Sequence, residues 1–272
     1  MQPTTSDAAF TGSVPHIYAS HLVPLLFEGY ARDLASRVAT RPVTRVLEVA
    51  AGTGVVTRAL DAALPATVEI VATDLQQPML DQAAASGTTR PVTWQQADAQ
   101  QLPYDDGSFD AVACQFGAMF FPDKIKAFAE ARRVLRPGGV YVFNVWDGVE
   151  TNDIAEIVTR TAAELFPANP PRFLSRVPYG YSDHGAIRRD LASAGFTAAP
   201  TFSTLAQHGR SPSAHVAAIG YCQGTPIRGE IEAHGPDALE TATRAVTEAL
   251  QKRFGAGAID TRIQAHIIAV TA

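Results

Sequence analysis

The sequence predicts an α/β fold, doubly wound around a mainly parallel sheet, on three observations. From Thr44 onward, short β-branched runs alternate with helical patterns, which is the signature of βαβ units. A glycine-containing turn stands directly between the first of those runs and the helix that follows it. The 272 residues are 46% hydrophobic and only 18% charged, below the roughly 25% charge of an average globular chain, which suits a large and well-covered core. Sheets of this kind often extend over such a length as one unit, so a single domain over 1–272 is expected.

The elements follow in order. After Pro24, Phe27, Tyr30, Ala31, Leu34 and Val38 recur at helical spacing, so an amphipathic helix is expected to lead into the core. VLEVA, VEIVATDL, VTWQQAD and FDAVACQFG read as strands. VVTRALDAAL, PMLDQAAAS and DKIKAFAEARRVL read as the helices between and after them. RPGG comes next; Pro137 is expected to stop the helix there, and Gly138 or Gly139 to take a left-handed cap. VYVFNVW reads as a buried strand. A helix near 153–165 precedes the proline-rich FPANPPRFLSRVPYGYSD, which cannot continue it. HGAIRRDLASAGF, TFSTLAQ and RIQAHIIAV resume the alternation, with room for two helices in between, over 211–255. In the second of these, Glu240, Arg244, Glu248 and Lys252 form a solvated charge row at i,i+4 spacing. The expected plan is thus an N-terminal helical segment (1–40), a core (41–147), insertions (148–182 and 211–256) and remaining core elements (183–210 and 257–272).

Composition sets aside several roles. The net charge of −5 is scattered, with no basic footprint for a nucleic acid. MQPTTSDAAF lacks the blocks of a secretion signal, and no apolar run reaches the roughly 18 residues of a membrane span. A cytoplasmic protein is expected. Cys114 and Cys222 stand far apart without metal-ligand spacing and read as ordinary thiols, so no metal is expected.

The candidate binding site lies at the strand ends. Gly52 and Gly54, in VLEVAAGTG, let backbone approach a ligand at a helix N-terminus. A dinucleotide fingerprint needs a third glycine at position 57, where Thr57 stands. Asp74, at the end of the second strand, is placed to accept hydrogen bonds from ribose hydroxyls, or simply to cap the next helix. Asp98 and Ala99 end the third strand, where an acidic side chain can accept from an adenine amine while alanine leaves room for the ring; Asp98 can equally serve its own turn. Gln115 and Phe116 end the fourth. Glu48, inside an apolar strand, is costly to bury alone and is expected to accept backbone amides of the glycine loop or meet a ligand amine.

With E-V-A-A-G-T-G, A-T-D-L, Q-A-D-A-Q-Q-L-P-Y, F-D-A-V and R-V-L-R-P-G-G on the page, the stretch 44–147 resembles the class I S-adenosylmethionine-dependent methyltransferases, in particular the small-molecule branch that methylates quinone rings. The resemblance implies a Rossmann-like seven-stranded sheet with its last strand antiparallel, an N-terminal helical lid, and helical insertions near the C-terminal strands on the acceptor side. It implies S-adenosyl-L-methionine as cofactor and S-adenosyl-L-homocysteine as product. The implied cofactor residues are Glu48, Ala50, Gly52, Gly54, Asp74, Leu75, Asp98, Ala99, Gln115 and Phe116. One departure is Ala50, where the family commonly has glycine; its Cβ is tolerated if the residue keeps a negative φ.

Methyl transfer is an in-line displacement in which alignment and exclusion of water carry much of the acceleration. The expected acceptor is a small organic molecule, with oxygen, nitrogen and carbon all open as the methylated atom. Tyr18 is the first candidate to orient the nucleophile, with His21 beside it and His16, Tyr179, Tyr181 and His184 as further members of the acceptor side; Phe120, Phe121 and Trp146 are candidates for an apolar wall. Cys114-Gln115-Phe116-Gly117 is not the turn of adenine-in-DNA methylating enzymes, and cysteines are too few for arsenic methylation. The rival readings are an NAD(P)-dependent oxidoreductase and a non-catalytic cofactor-binding protein of the same fold. A homodimer through the late insertion is a further expectation.

Overall fold

The computed structural model describes residues 14–272. The MQPTTSDAAF start, and with it the argument about a secretion signal, lies outside the described residues. Seven strands, β1 (Arg45–Val49), β2 (Glu69–Asp74), β3 (Thr93–Gln96), β4 (Phe109–Gln115), β5 (Leu135–Trp146), β6 (Thr201–Ser211) and β7 (Ile259–Thr271), form one sheet in the order β3-β2-β1-β4-β5-β7-β6. The first five are parallel, with Leu47 opposite both Val71 and Val112. β7 runs antiparallel. Gly138 N–H donates to Ala272 O while Asp147 N–H donates to Gln264 O, so one strand ascends as the other descends. Thr201 pairs with Ala269 and His208 with Asp260, which sets β6 antiparallel to β7 as well. The seven-stranded sheet with an antiparallel last strand, implied by the resemblance, is the one observed.

The helices that concern the sheet are α1 (Glu28–Ala39), α2 (Val55–Ala63), α3 (Gln77–Ser86) and α4 (Lys124–Val134). Their apolar stripes supply the sheet's cover: Leu34, Val38, Val56 and Leu60 close over Val46, Ile70, Ala111 and Val140 in one buried cluster. α4 begins at Asp123, whose carboxylate accepts from Lys126 N, a side-chain N-cap. It ends earlier than Pro137 would dictate. Leu135 is already extended (φ −75°, ψ 137°), so the chain enters β5 before the proline, and of the two glycines Gly138 takes the positive φ.

The described residues divide into two compact units. One comprises 14–28, 146–180 and 206–264; the other comprises 29–145, 181–205 and 265–272. The first unit holds a π-helix at Tyr18–Phe27, then α5 (Asp153–Leu165), and, beyond α6 (His184–Ser193) of the second unit, α7 (Ala214–Gln223), α8 (Ile227–Glu232) and α9 (Ala238–Phe254). Two helices were expected between Ser211 and Gly255, and three are present. The extra one, α8, is six residues long, starts after Pro226, and is cut off by Gly235 at φ +134°, too short to show a helical period. Pro24 lies within the π-helix and has no N–H to give to an α-helical ladder. Gly220 on α7 lets this wide helix approach, since a Cβ there would stand 3.0 Å from Leu22 Cδ2. Glu240, Arg244, Glu248 and Lys252 are exposed along α9, as a solvated row requires.

Candidate functional site

The second unit gathers the carboxyl ends of β1, β2, β3 and β4. Val49 lies opposite Thr73, Asp74 opposite Gln96, and Glu48 opposite Ala113, so the four strands finish along one edge. From β1 the sheet grows through β2 and β3 on one side and through β4 and β5 on the other. This reversal opens a crevice at the strand ends, the usual ligand position of such sheets.

The turn after β1 is pinned to the end of β2. Ala51 N–H donates to Thr73 O at 2.9 Å, and Gly52 N–H to the Asp74 carboxylate at 2.8 Å. Ala50 departs from expectation: its φ is +56°, not negative. A left-handed residue with a Cβ costs roughly 1–2 kcal/mol. The surroundings accommodate it because Gly117 lies against its methyl; a Cβ on Gly117 would be only 2.5 Å from Ala50 Cβ. Gly52 (φ +56°) has the left-handed backbone expected of the turn. Gly54 also has a packing role. It caps α2 at φ +77°, and a Cβ there would meet Ala83, Arg58 and Trp94 at 3.0–3.1 Å, so its bareness serves packing of helix and strand. Between them Thr53 is 2% exposed, and its buried hydroxyl has no hydrogen-bond partner among the described residues.

Two carboxylates stand beside this turn. Asp74 accepts Gly52 N–H on one oxygen and Gln76 N–H on the other, each at 2.8 Å. Burial raises its pKa while these amides pull it back. Glu48 is buried, and its partner is the Thr57 hydroxyl at 2.5 Å, not the loop amides that were expected. Desolvation, opposed by the Thr57 bond and increased by the nearby Asp74 charge, pushes its pKa up to about 8. Thr57 thus fills the third-glycine position with a side chain that binds Glu48. The sequence reading missed this role; a threonine in the first turn of the helix that follows a strand carrying a buried acid was the available signal.

Leu75 follows Asp74 and leaves an apolar side chain 50% exposed. Asp98 is exposed, and its carboxylate accepts Gln100 N–H at 2.8 Å within its own turn, next to half-buried Ala99. At the exit of β4, Gln115 is followed by Phe116 at φ +50°. Phe116 N–H donates to both the carbonyl oxygen (3.2 Å) and side-chain oxygen (2.9 Å) of Asn144, and its ring meets Tyr30 edge-on at 5.4 Å. Asn144 is fully buried. It too was missed, although a lone asparagine in the apolar run VYVFNVW marks it.

Tyr18 and His21 belong to the other unit. There Tyr18 is half-buried and stacks on Phe27 at 5.2 Å; Phe27 meets Trp146 at 5.9 Å, and Trp146 meets Tyr179 at 5.8 Å. The Tyr179 hydroxyl faces that of Tyr221 at 3.4 Å. His21 Nδ1 lies 2.7 Å from Ser20 Oγ. Tyr179 belongs to the same unit as Tyr18, while Tyr181 and His184 belong to the second unit, where Tyr181 donates to Asp190 at 2.6 Å. Among the described residues no three His, Cys, Asp or Glu side chains group to hold a metal, and no helix is long and apolar enough to cross a membrane.

Comparison with known proteins shows what the chain is similar to. Residues 47–143 match a family described as a methyltransferase domain. The chain is 42% identical over 113 residues to the demethylmenaquinone methyltransferase of Deinococcus radiodurans, covering 41% of this chain and 46% of that protein. It is 29% identical over 143 residues to the ubiquinone/menaquinone biosynthesis C-methyltransferase UbiE of a Marinomonas species, covering 51% and 57%. The chain therefore spans about half the length of these curated relatives. Among solved structures, YcgJ of Bacillus subtilis superposes with a TM-score of 0.57 at 21% identity, over 89% of this chain and 98% of that one. The [4+2]-cyclase SpnF does so with a TM-score of 0.58 at 17% identity, over 99% and 97%. These two likenesses concern the fold.

Proposed function

We propose that this chain, whose residues 47–143 match a methyltransferase domain, belongs to the class I S-adenosylmethionine-dependent methyltransferases and moves a methyl group from S-adenosylmethionine to a small organic acceptor. The observation that carries this reading is the junction of a matched methyltransferase domain with one strand-end edge holding Glu48, the 50–54 turn, Asp74, Leu75 and Gln115. The residues fit the cofactor's chemistry. The orphaned buried Thr53 hydroxyl and the uncovered Leu75 offer a polar and an apolar contact at the crevice, and Asp74, at the end of β2, offers a carboxylate acceptor.

When bound, S-adenosylmethionine supplies a methyl group on a cationic sulfur that leaves as a neutral thioether. The protein's part is to bind, orient and keep out water. Asp74, already fixed by two backbone amides, has lone pairs left for vicinal ribose hydroxyls. Leu75 covers a ring face, Asp98 accepts an exocyclic amine beside Ala99, and Gln115 with Phe116 borders the methionine portion. Gly52, Gly54 and Ala50 shape the turn, and Glu48 supplies a carboxyl group behind it. Position 57 speaks against a dinucleotide fingerprint, since its side chain is buried and bound to Glu48.

For the acceptor, a planar aromatic or quinone ring is favoured by the ring column Tyr18–Phe27–Trp146–Tyr179 and by the quinone-named relatives. Tyr18 is assigned to orient it. Tyr18→Phe is expected to lower turnover by about tenfold or more and leave affinity for S-adenosylhomocysteine unchanged; equal turnover would reduce Tyr18 to its contact with Phe27.

Calorimetric titration with S-adenosylhomocysteine, beside NADH, tests the cofactor class. Saturable binding of the first alone is expected, and binding of NADH alone would replace the reading with an oxidoreductase. Asp74→Ala is expected to weaken S-adenosylhomocysteine by at least about tenfold, a loss of about 1.4 kcal/mol. Product formation with any acceptor excludes a non-catalytic binder of the same fold.

A further inference from the structure

Two non-glycine residues in left-handed backbone, Ala50 at φ +56° and Phe116 at φ +50°, stand at the exits of the paired parallel strands β1 and β4. Such strain persists only where neighbouring structure over-determines it. At Ala50 the neighbour is Gly117, whose missing Cβ leaves room for the alanine methyl. At Phe116 it is Asn144, placed by the register Gln115↔Asn144 at the last rung of the β4–β5 pair. The Asn144 backbone carbonyl accepts Phe116 N–H as an ordinary strand would. Its side-chain oxygen accepts the same N–H at 2.9 Å, and its amide nitrogen reaches Gln115 Oε1 at 3.4 Å. The side chain therefore holds both residues of the β4 exit from a fully buried position. The turn at Phe116 then delivers Gly117 flat against Ala50, so the span between the β4 exit and the glycine turn is set by Asn144.

We infer that Asn144 is a positioning residue for the cofactor site, acting through Phe116 and Gln115 without touching the ligand. This rests on the proposed function. An apolar side chain of similar size at 144 preserves strand packing but releases the left-handed turn, and the exit then relaxes away from the loop it faces. An aspartate keeps an acceptor for Phe116 N–H and can accept from the Gln115 amide.

The test is calorimetry with S-adenosylhomocysteine on the full chain, with far-ultraviolet circular dichroism to score folding. Asn144→Leu is expected to weaken binding by about tenfold or more, equal to about 1.4 kcal/mol, while remaining folded, and Asn144→Asp is expected to stay within about threefold of the parent. The rescue by aspartate is what a purely structural role would not give, because a buried carboxylate is at least as hard on the core as leucine. A folded Asn144→Leu that binds like the parent overturns the inference. Should the leucine variant not fold, Asn144→Ser, whose hydroxyl falls short of Phe116 N, takes its place, with about tenfold weaker binding expected and parental affinity overturning the inference. If the parent itself binds no S-adenosylhomocysteine, the proposed function fails first and the inference with it.

Discussion

At the scale of single residues, the burial of Glu48 makes stability depend on pH. Its carboxyl titrates near 4.5 when unfolded and near about 8 when folded. Between those values the unfolded chain has released a proton that the folded chain retains, so stability falls as pH rises and the loss is complete above about 8. Glu48→Gln is expected to remove this decline, seen as a thermal midpoint that no longer drops between about pH 5 and pH 8. A parental midpoint as flat as that of the variant would mean Glu48 is ionised throughout. Ala50 gives a second outcome. Ala50→Gly relieves the left-handed strain at the expense of backbone entropy, for an expected gain of about 0.5–1 kcal/mol in denaturant unfolding. Gly117→Ala is expected to be less damaging in that background than in the parent, since the Ala50 methyl 2.5 Å from the added Cβ is gone, but still costly because Cys114 Sγ stands 2.8 Å from it. The positions of Glu48 and Asp74 were legible, because strand ends and spacing place them. Their hydrogen bonds were not, because Thr57 and Gly52 become neighbours only when the turn after β1 takes its three-dimensional course, and the positive φ of Ala50 depends on what faces it.

At the scale of elements, the exit of β5 is tied to β7 by one buried side chain. Asn152 accepts Gln264 N–H at 2.9 Å and donates to Gly148 O at 3.1 Å and Gln264 O at 3.3 Å. Its removal leaves Gln264 N–H without its partner and takes one donor from Gly148 O and from Gln264 O, and Asn152→Ala is expected to cost about 1–3 kcal/mol in urea unfolding. A change below about 0.5 kcal/mol would show that water replaces it. Strands β1 to β5 and helices α2 to α4 could be read from the chain because their periods are long enough to repeat. The π-helix at Tyr18–Phe27 could not, because its i→i+5 ladder matches neither template, and α8 could not because six residues make less than two turns.

At the scale of the whole molecule, the alternation of runs announces a parallel sheet, but the antiparallel insertion of β7 between β5 and β6 came only from the resemblance to a family. Periodicity records which face of a strand is buried and is silent on its direction and neighbours. The two units are likewise discontinuous in sequence, each assembled from three described segments, so composition along the chain shows no boundary between them. Removing residues 259–272 takes β7 from the interior of the sheet and is expected to abolish the cooperative unfolding transition; a truncated chain that still melts sharply would show that β5 and β6 can close on each other. β7 also has a consequence for biosynthesis. Because β6 reaches the sheet only through a strand made after it, the growing polypeptide leaves the ribosome with β5 as an open edge and β6 without a berth. Both wait on β7, and until it is made the nascent chain presents unpaired backbone of the kind that neighbouring chains invade.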